Sequence, residues 1–325
     1  MSAFGKTLAI ASVLMACGLS AANAQDKVWK HGILEPKSDA GFIAMVDNGG
    51  FAAKRGLKVE LVKIKSGSTL MKALIAGQVD SVDMGAAESI VAAARGTGVK
   101  IVGCGWPGLP QIVLSKTEVK TPADLKGRAI AISSPGSLPD LLMRGMLNAQ
   151  NIPVADVKFV TQGADLDRYK SLVAGISDAA VVSNEFQPVM PANLKVLVKA
   201  QEVVPNFIRL CIAVTGKTLT TRKDDAVKFV AAQMEAMRYA IGHRAEAVKL
   251  TREVISAKAD DPRPEFIFDQ AVQNRQVDPT FEIPTAKIEW MQSQFVKSGT
   301  LPKAVEASKM IDGEVRVKAL ALVGK

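Results

Sequence analysis

Two short loops carry the residues best suited to chemistry. Ser66-Gly67-Ser68-Thr69 and Ser133-Ser134-Pro135-Gly136-Ser137 each set hydroxyls beside a glycine, ahead of a helical stretch. A glycine lets backbone N–H groups come close to a ligand, and the positive end of the helix behind favours negative charge. The implied chemistry is capture of an anion by Ser66, Gly67, Ser68 and Thr69 on one side and by Ser133, Ser134, Gly136 and Ser137 on the other. Ordinary helix capping competes with this reading, since Ser and Thr are preferred caps in any protein. Neither loop continues into Gly-Lys-Ser/Thr, so nothing here supports nucleotide hydrolysis.

Other residues extend the candidate set. Glu35 and Glu88 are placed to pair with an amino group, which favours a zwitterion or a cationic heterocycle; Glu88 is equally a first-turn acid that complements its helix dipole. Ser38 belongs to the segment Glu35–Gly41 that follows the first strand. Trp106, in Gly105-Trp106-Pro107-Gly108, stands at a strand end, either to stack on a solute or to pack at a hinge. Asn184, with Glu185 beside it, follows a later strand and would close the site from the opposite side. Catalysis has little to stand on. His31 falls in a predicted strand and His243 in a predicted helix, neither beside a Cys or Ser motif, so no enzyme is expected. Two histidines without clustered cysteines predict no metal site, and no cofactor is expected.

The elements that must position these residues alternate between strand and helix. Strands are predicted at 28–34, 58–64, 80–85 and 99–104, with helices at about 41–54, 69–76 and 88–95 between them. That order specifies an α/β fold with mainly parallel sheets. An internal echo then sets the domain plan. LMKALIAGQVDSVDMG (Leu70–Gly85) returns 98 residues later as RYKSLVAGISDAAVVS (Arg168–Ser183), with Lys72/Lys170, Leu74/Leu172, Ala76/Ala174, Gly77/Gly175 and Asp80/Asp178 identical. Each copy reads as helix, glycine stop, Asp turn and buried strand. The spacing is too long for a solenoid and suits two lobes of similar design. Lobe I is expected over 25–112 and 210–325, with the C-terminal helices, and lobe II over 113–209. Gln111–Ser115 and the run from Phe207 to Thr215 are the expected crossings. In the C-terminal part Thr221 and Asp224 suggest a capping box, and Val227, Val230, Met234, Met237 and Ile241 share one helical face.

The first residues read as an export signal: Lys6, an apolar run TLAIASVLM, then Ala22-Asn23-Ala24 as a cleavage site. Cleavage after Ala24 leaves 301 residues and lowers the net charge from +9 to +8. Leu14-Met15-Ala16-Cys17 offers a lipoprotein route through Cys17, with Met15 a poor match, so a cleaved leader and a periplasmic location are expected. The basic residues are scattered with little aromatic interleaving, which argues against a nucleic-acid partner. Cys104 and Cys211 sit in apolar runs, IVGCG and RLCIAV, and read as buried unpaired thiols, although export permits a disulfide.

With these segments in view, the run GFAAKRGLKVELVKIKSGSTLMKALIAGQVDSVDMG, then TPADLKGRAIAISSPGS and SLVAGISDAAVV, resembles the nitrate/sulfonate/taurine-type periplasmic binding proteins of ABC importers. That superfamily also holds binding proteins for a thiamine pyrimidine precursor. The resemblance covers roughly residues 28–214. It implies a type II periplasmic-binding-protein fold, two lobes joined by two crossover strands as a hinge, here Gln111–Ser115 and Arg209–Val214. It implies capture of a small organic anion or zwitterion, delivery to an ABC permease in the cytoplasmic membrane, and a monomer. A pyrimidine-type precursor or another heterocycle as ligand, and a ligand-sensing role, are the alternatives. The superfamily also resembles an iron-dependent pyrimidine-forming enzyme, whose cysteine-rich signature this chain lacks.

Overall fold

The computed structural model describes Met1 and residues 28–324. The expected leader, with Cys17, lies outside the described residues save for Met1. The strands are β1 (Trp29–Leu34), β2 (Val59–Ile64), β3 (Ser81–Gly85), β4 (Val99–Trp106), β5 (Gln111–Lys116), β6 (Ala129–Ile132), β7 (Lys158–Thr161), β8 (Ala179–Ser183), β9 (Leu194–Lys199) and β10 (Leu210–Thr215). They form two five-stranded sheets, ordered β2-β1-β3-β10-β4 and β7-β6-β8-β5-β9. In each, a single strand runs against the rest: β10 is antiparallel to β3 and β4, and β5 is antiparallel to β8 and β9. β5 and β10 follow the two passages between the sheets. The expected crossover strands therefore lie inside a sheet, and the passages themselves are confined to residues 107–110 and 200–209.

The sequence echo has a structural cause. In the first copy the helix Gly67–Ile75 ends at Gly77, whose φ of +72° is the left-handed geometry a Cβ would strain. Asp80 then clasps the start of β1: its N–H donates to Lys30 O at 2.8 Å, and its Oδ2 accepts from Lys30 N at 2.8 Å. The second copy repeats this with the helix Asp165–Val173, Gly175 (φ +76°) and Asp178. Here Asp178 N donates to Ala129 O at 2.8 Å, and Oδ2 accepts from Ala129 N at 3.0 Å. One glycine and one Asp thus align a neighbouring parallel pair in each sheet, β1 with β3 and β6 with β8.

Several local expectations are revised. The helix expected over 41–54 is two helices, Ala40–Asn48 and Phe51–Lys54, broken where Gly50 takes φ +70°. Thr221 caps nothing: its hydroxyl donates to Lys217 O at 2.8 Å within the helix Gly216–Thr221, and Lys223–Gly242 begins after Arg222. Val227, Val230, Met234 and Met237 on that long helix are buried as the periodicity requires. His243 sits at the break before the helix Arg244–Ile255 rather than inside a helix. The helix Thr285–Lys297 buries Ile288, Met291 and Phe295 and packs on both Ala86–Ala94 and Leu138–Ala149, helices that flank different sheets.

Cys104 and Cys211 form a disulfide between the neighbouring strands β4 and β10, with Cα atoms 3.9 Å apart. The reading of both as unpaired thiols is overturned. Their strands become neighbours only through sheet pairing across 107 residues, which neither local run reveals. A cross-link closing so long a loop should stabilise the fold by about 4–5 kcal/mol in the chain-entropy account. Reduction, or the double change Cys104→Ala/Cys211→Ala, should therefore lower the guanidinium midpoint clearly; an unchanged midpoint rejects a stabilising cross-link.

Candidate functional site

The strands of each sheet end in loops that face those of the other across a cleft of about 1100 Å³. Its walls include Glu35, Ser38, Gly67, Glu88, Ser133 and Ser137 from the expected set. Ser66, Ser68, Thr69, Ser134, Gly136, Asn184 and Trp106 are not among the wall residues. Ser66 caps the helix Gly67–Ile75 by accepting from Thr69 N at 3.3 Å. Ser68 and Ser134 bond to each other through their hydroxyls at 2.8 Å, joining the two loops directly. Gly136 N donates to Asp140 Oδ2 at 2.8 Å. Asn184 N donates to Pro110 O at 2.9 Å, so Asn184 ties down a passage between the sheets. Trp106 is buried, edge-on to Phe42 with ring centroids 5.3 Å apart.

The residues not foreseen are mostly charged. Arg209, the residue before β10, is 2% exposed, forms an ion pair with buried Asp39, and lays its guanidinium 4.1 Å from the Trp106 ring centroid. Trp106 thus reaches the cleft through Arg209, which lines it. Lys37 pairs with Asp165, which also pairs with Arg168 and accepts from Ser183 N at 3.2 Å. Glu185 accepts from Ser38 N at 3.0 Å, and Glu88 Oε1 accepts from Leu138 N at 2.5 Å. The contacts Lys37–Asp165, Ser38–Glu185, Ser68–Ser134 and Glu88–Leu138 all join segments of one sheet to segments of the other. Sequence inspection had one usable sign of these charges: Lys37, Asp39 and Arg209 adjoin strand ends, where α/β proteins bind ligands.

Burial sets the protonation of this cluster. It raises Asp83 to about 7 against the pull of Arg209, with Asp39 adding to the rise. It raises Glu88 to about 8, outweighing the hydrogen bonds from its own N–H and from Leu138, with Asp140 adding to the rise. Glu185 is also raised by burial. Burial pushes Asp165 the same way, but Arg168 and Lys37 win and hold it well below the usual carboxylate range. Away from the cleft, burial lowers His31 to about 3, so it stays neutral, its Nδ1 2.8 Å from Ser81 Oγ. Four buried polar atoms of the wall lack protein partners: Ser38 Oγ, Glu88 Oε2, Gln111 Oε1 and Arg209 Nη1. Among the described residues no cluster of His, Cys, Asp and Glu is arranged to hold a metal ion.

Residues 38–247 match the family described as NMT1/THI5 like. The chain belongs to the NMT1/THI5-like family. This NMT1/THI5-like chain shares its fold with solved structures at low identity. A protein of Bordetella bronchiseptica RB50 aligns at TM-score 0.78 and 19% identity, over 90% of this chain and 98% of its own. The periplasmic aliphatic sulphonate binding protein SsuA of Escherichia coli aligns at TM-score 0.68 and 18% identity, over 88% and 92%. The periplasmic nitrate-binding protein NrtA of Synechocystis PCC 6803 aligns at TM-score 0.73 and 16% identity, over 91% and 89%. No curated protein matches the chain. The NMT1/THI5-like chain therefore has the two-lobed periplasmic-binding-protein fold expected of it.

The carboxyl shifts have a measurable consequence for this family member. Glu88 titrates near 8 when folded against an ordinary 4.5, so the folded state keeps a proton that the unfolded chain releases. Its stabilising contribution is full below the ordinary value and is lost as pH rises toward 8. His31 works the other way but only below its ordinary 6.5, so it is silent at higher pH. Between pH 6.5 and 8 the unliganded protein should lose stability in urea titrations, and Glu88→Gln should lose less. Identical slopes in the two proteins would refute the assignment.

Proposed function

We propose that the protein is the solute-binding component of an ABC-type import system, capturing a small organic anion or zwitterion of the sulfonate, nitrate and taurine class. The solute lies between lobe I (25–112 and 210–325) and lobe II (113–209) and is delivered to a membrane permease. The protein works as an exported periplasmic monomer and carries out no chemistry on the solute. One observation carries this reading: Ser38 Oγ, Glu88 Oε2, Gln111 Oε1 and Arg209 Nη1 are buried without partners around a single cleft. A buried polar group left unpaired costs about 1–3 kcal/mol. A solute that donates to Glu88 and Gln111 and accepts from Arg209 and Ser38 removes all four penalties at once. The sulphonate- and nitrate-binding proteins that share the fold support an anionic group on the solute.

A second reading, a pyrimidine-type thiamine precursor or another heterocycle, has its own observation. Glu88 Oε2 and Gln111 Oε1 are acceptors, suited to ring N–H and exocyclic amino groups.

Thermal unfolding with a panel of sulfonates, carboxylates, nitrate and pyrimidines tests both. A true ligand at 100 times its Kd should add about 2.7 kcal/mol of stability and raise Tm by several degrees. Mass spectrometry of molecules that co-purify with the protein supplements the panel. If no panel member raises Tm and nothing co-purifies, the proposal fails.

A further inference from the structure

We infer that Glu88 is the specificity-determining residue of this cleft and selects a solute through a protonated nitrogen, because its carboxyl occupies the helix N-terminus that a solute oxyanion would otherwise take. The inference rests on the solute-binding reading above and narrows its ligand class. The loop before the helix Leu138–Ala149 is the one whose serines and glycine suggest an anion site. Three of its N–H groups are used within the loop and helix start: Ser134 N donates to Ser137 Oγ at 3.2 Å, Gly136 N to Asp140 Oδ2 at 2.8 Å, and Ser137 N to Ser134 O at 3.1 Å. A fourth, Leu138 N at the first helical residue, donates to Glu88 Oε1 at 2.5 Å. The protein's own carboxyl, carried on the helix Ala86–Ala94 of the other sheet, is the acceptor in place there.

The position is built for that carboxyl. Glu88 is 4% exposed, and its Oε2 has no partner in the cleft wall. A Cβ on Gly67 would lie 2.3 Å from Glu88 Oε1, and one on Gly85 would lie 2.0 Å from Oε2 and 2.8 Å from Leu138 Cβ. Gly67, the glycine of the first loop, is therefore bare to admit Glu88. An oxyanion approaching this helix end would find Leu138 N already taken by Glu88 Oε1 and so would gain no donor there. An N–H donor or ammonium group instead gives Oε2 its missing partner.

The proton balance separates the two kinds of ligand. Burial holds Glu88 near 8, so at pH 7 most unliganded molecules carry a proton on it. A cationic nitrogen at Oε2 favours the ionised carboxylate, and the displaced proton passes to buffer. An oxyanion would retain it. Of the other charged groups, Asp140 acts on Glu88 from the first turn of Leu138–Ala149, while Asp83 and Arg209 line the same cleft.

Calorimetric titration with matched solutes tests this: taurine against isethionate, and β-alanine against 3-hydroxypropionate, each in two buffers of different ionisation enthalpy at pH 7. The amine of each pair should bind at least about tenfold tighter, a charge-assisted hydrogen bond against a neutral one. It should also release close to one proton. In Glu88→Gln the preference and the proton release should both vanish; Gly67→Ala, which displaces the carboxyl, should do the same and covers the case in which the first variant fails to fold. Equal affinity for amine and hydroxyl partners, or an unchanged preference in folded variants, overturns the inference. If no matched solute binds, the co-purified molecule decides: a basic nitrogen upholds the inference and its absence overturns it. A bound solute without such a nitrogen leaves the solute-binding reading standing, whereas no solute of any kind removes both.

Discussion

The buried ion pair between Arg209 and Asp39 holds the binding region together. Arg209 is where the chain re-enters the first sheet; its carbonyl accepts from Ala86 N at 3.1 Å, the first residue of the helix that carries Glu88. Its guanidinium lies against Trp106, at the end of the strand by which the chain leaves that sheet, and pairs with Asp39 beyond β1. One side chain so joins exit, return, first loop and helix. Taking two charges out of water is costly, and such a pair is tolerated only where further contacts satisfy it. The Trp106 face supplies one of these, while Nη1 is buried without a protein partner. Losing either charge would strand the other, which makes the pair an organising constraint more than a simple source of stability.

Around that constraint the two sheets repeat one plan. The Asp80 and Asp178 clasps align β1 with β3 and β6 with β8, and β10 and β5 insert as the single antiparallel member. The disulfide then fastens β4 to β10, beside both passages between the sheets. The walls of the cleft are anchored at their sheet-proximal ends, and the loops that meet across it are joined by individual hydrogen bonds and ion pairs.

The echo at Leu70–Gly85 and Arg168–Ser183 was legible because its determinants are local: a left-handed glycine and an Asp turn leave their mark on consecutive residues. The loops at Ser66–Thr69 and Ser133–Ser137 were legible as helix starts for the same reason. Their partners were not. Nothing near Ser133 in the chain indicates that Leu138 N is taken by a glutamate 50 residues earlier. The segment Glu35–Gly41 and the hinge at Arg209 are legible in the chain, but the charge cluster of Lys37, Asp39, Asp83, Asp165 and Arg209 is not, because isolated charges at strand ends look like ordinary solvated positions until burial is known. Cys104 and Cys211 show the limit most plainly, since an apolar run describes a buried thiol and a buried disulfide equally well.

The sequence by itself determined the alternation of strand and helix, the duplicated unit and the positions of the helix-start loops, because periodicity and turn chemistry act over a few residues. Only the tertiary structure decided which groups meet: Ser68 with Ser134, Lys37 with Asp165, Arg209 with Asp39, and Glu88 with Leu138. Those meetings depend on how two sheets face each other, and the cost of burying a charge exists only once they do. In sequence the serine–glycine loops suggest places for a solute's negative charge; in the folded protein the one at the start of Leu138–Ala149 is filled by a carboxyl of the protein's own.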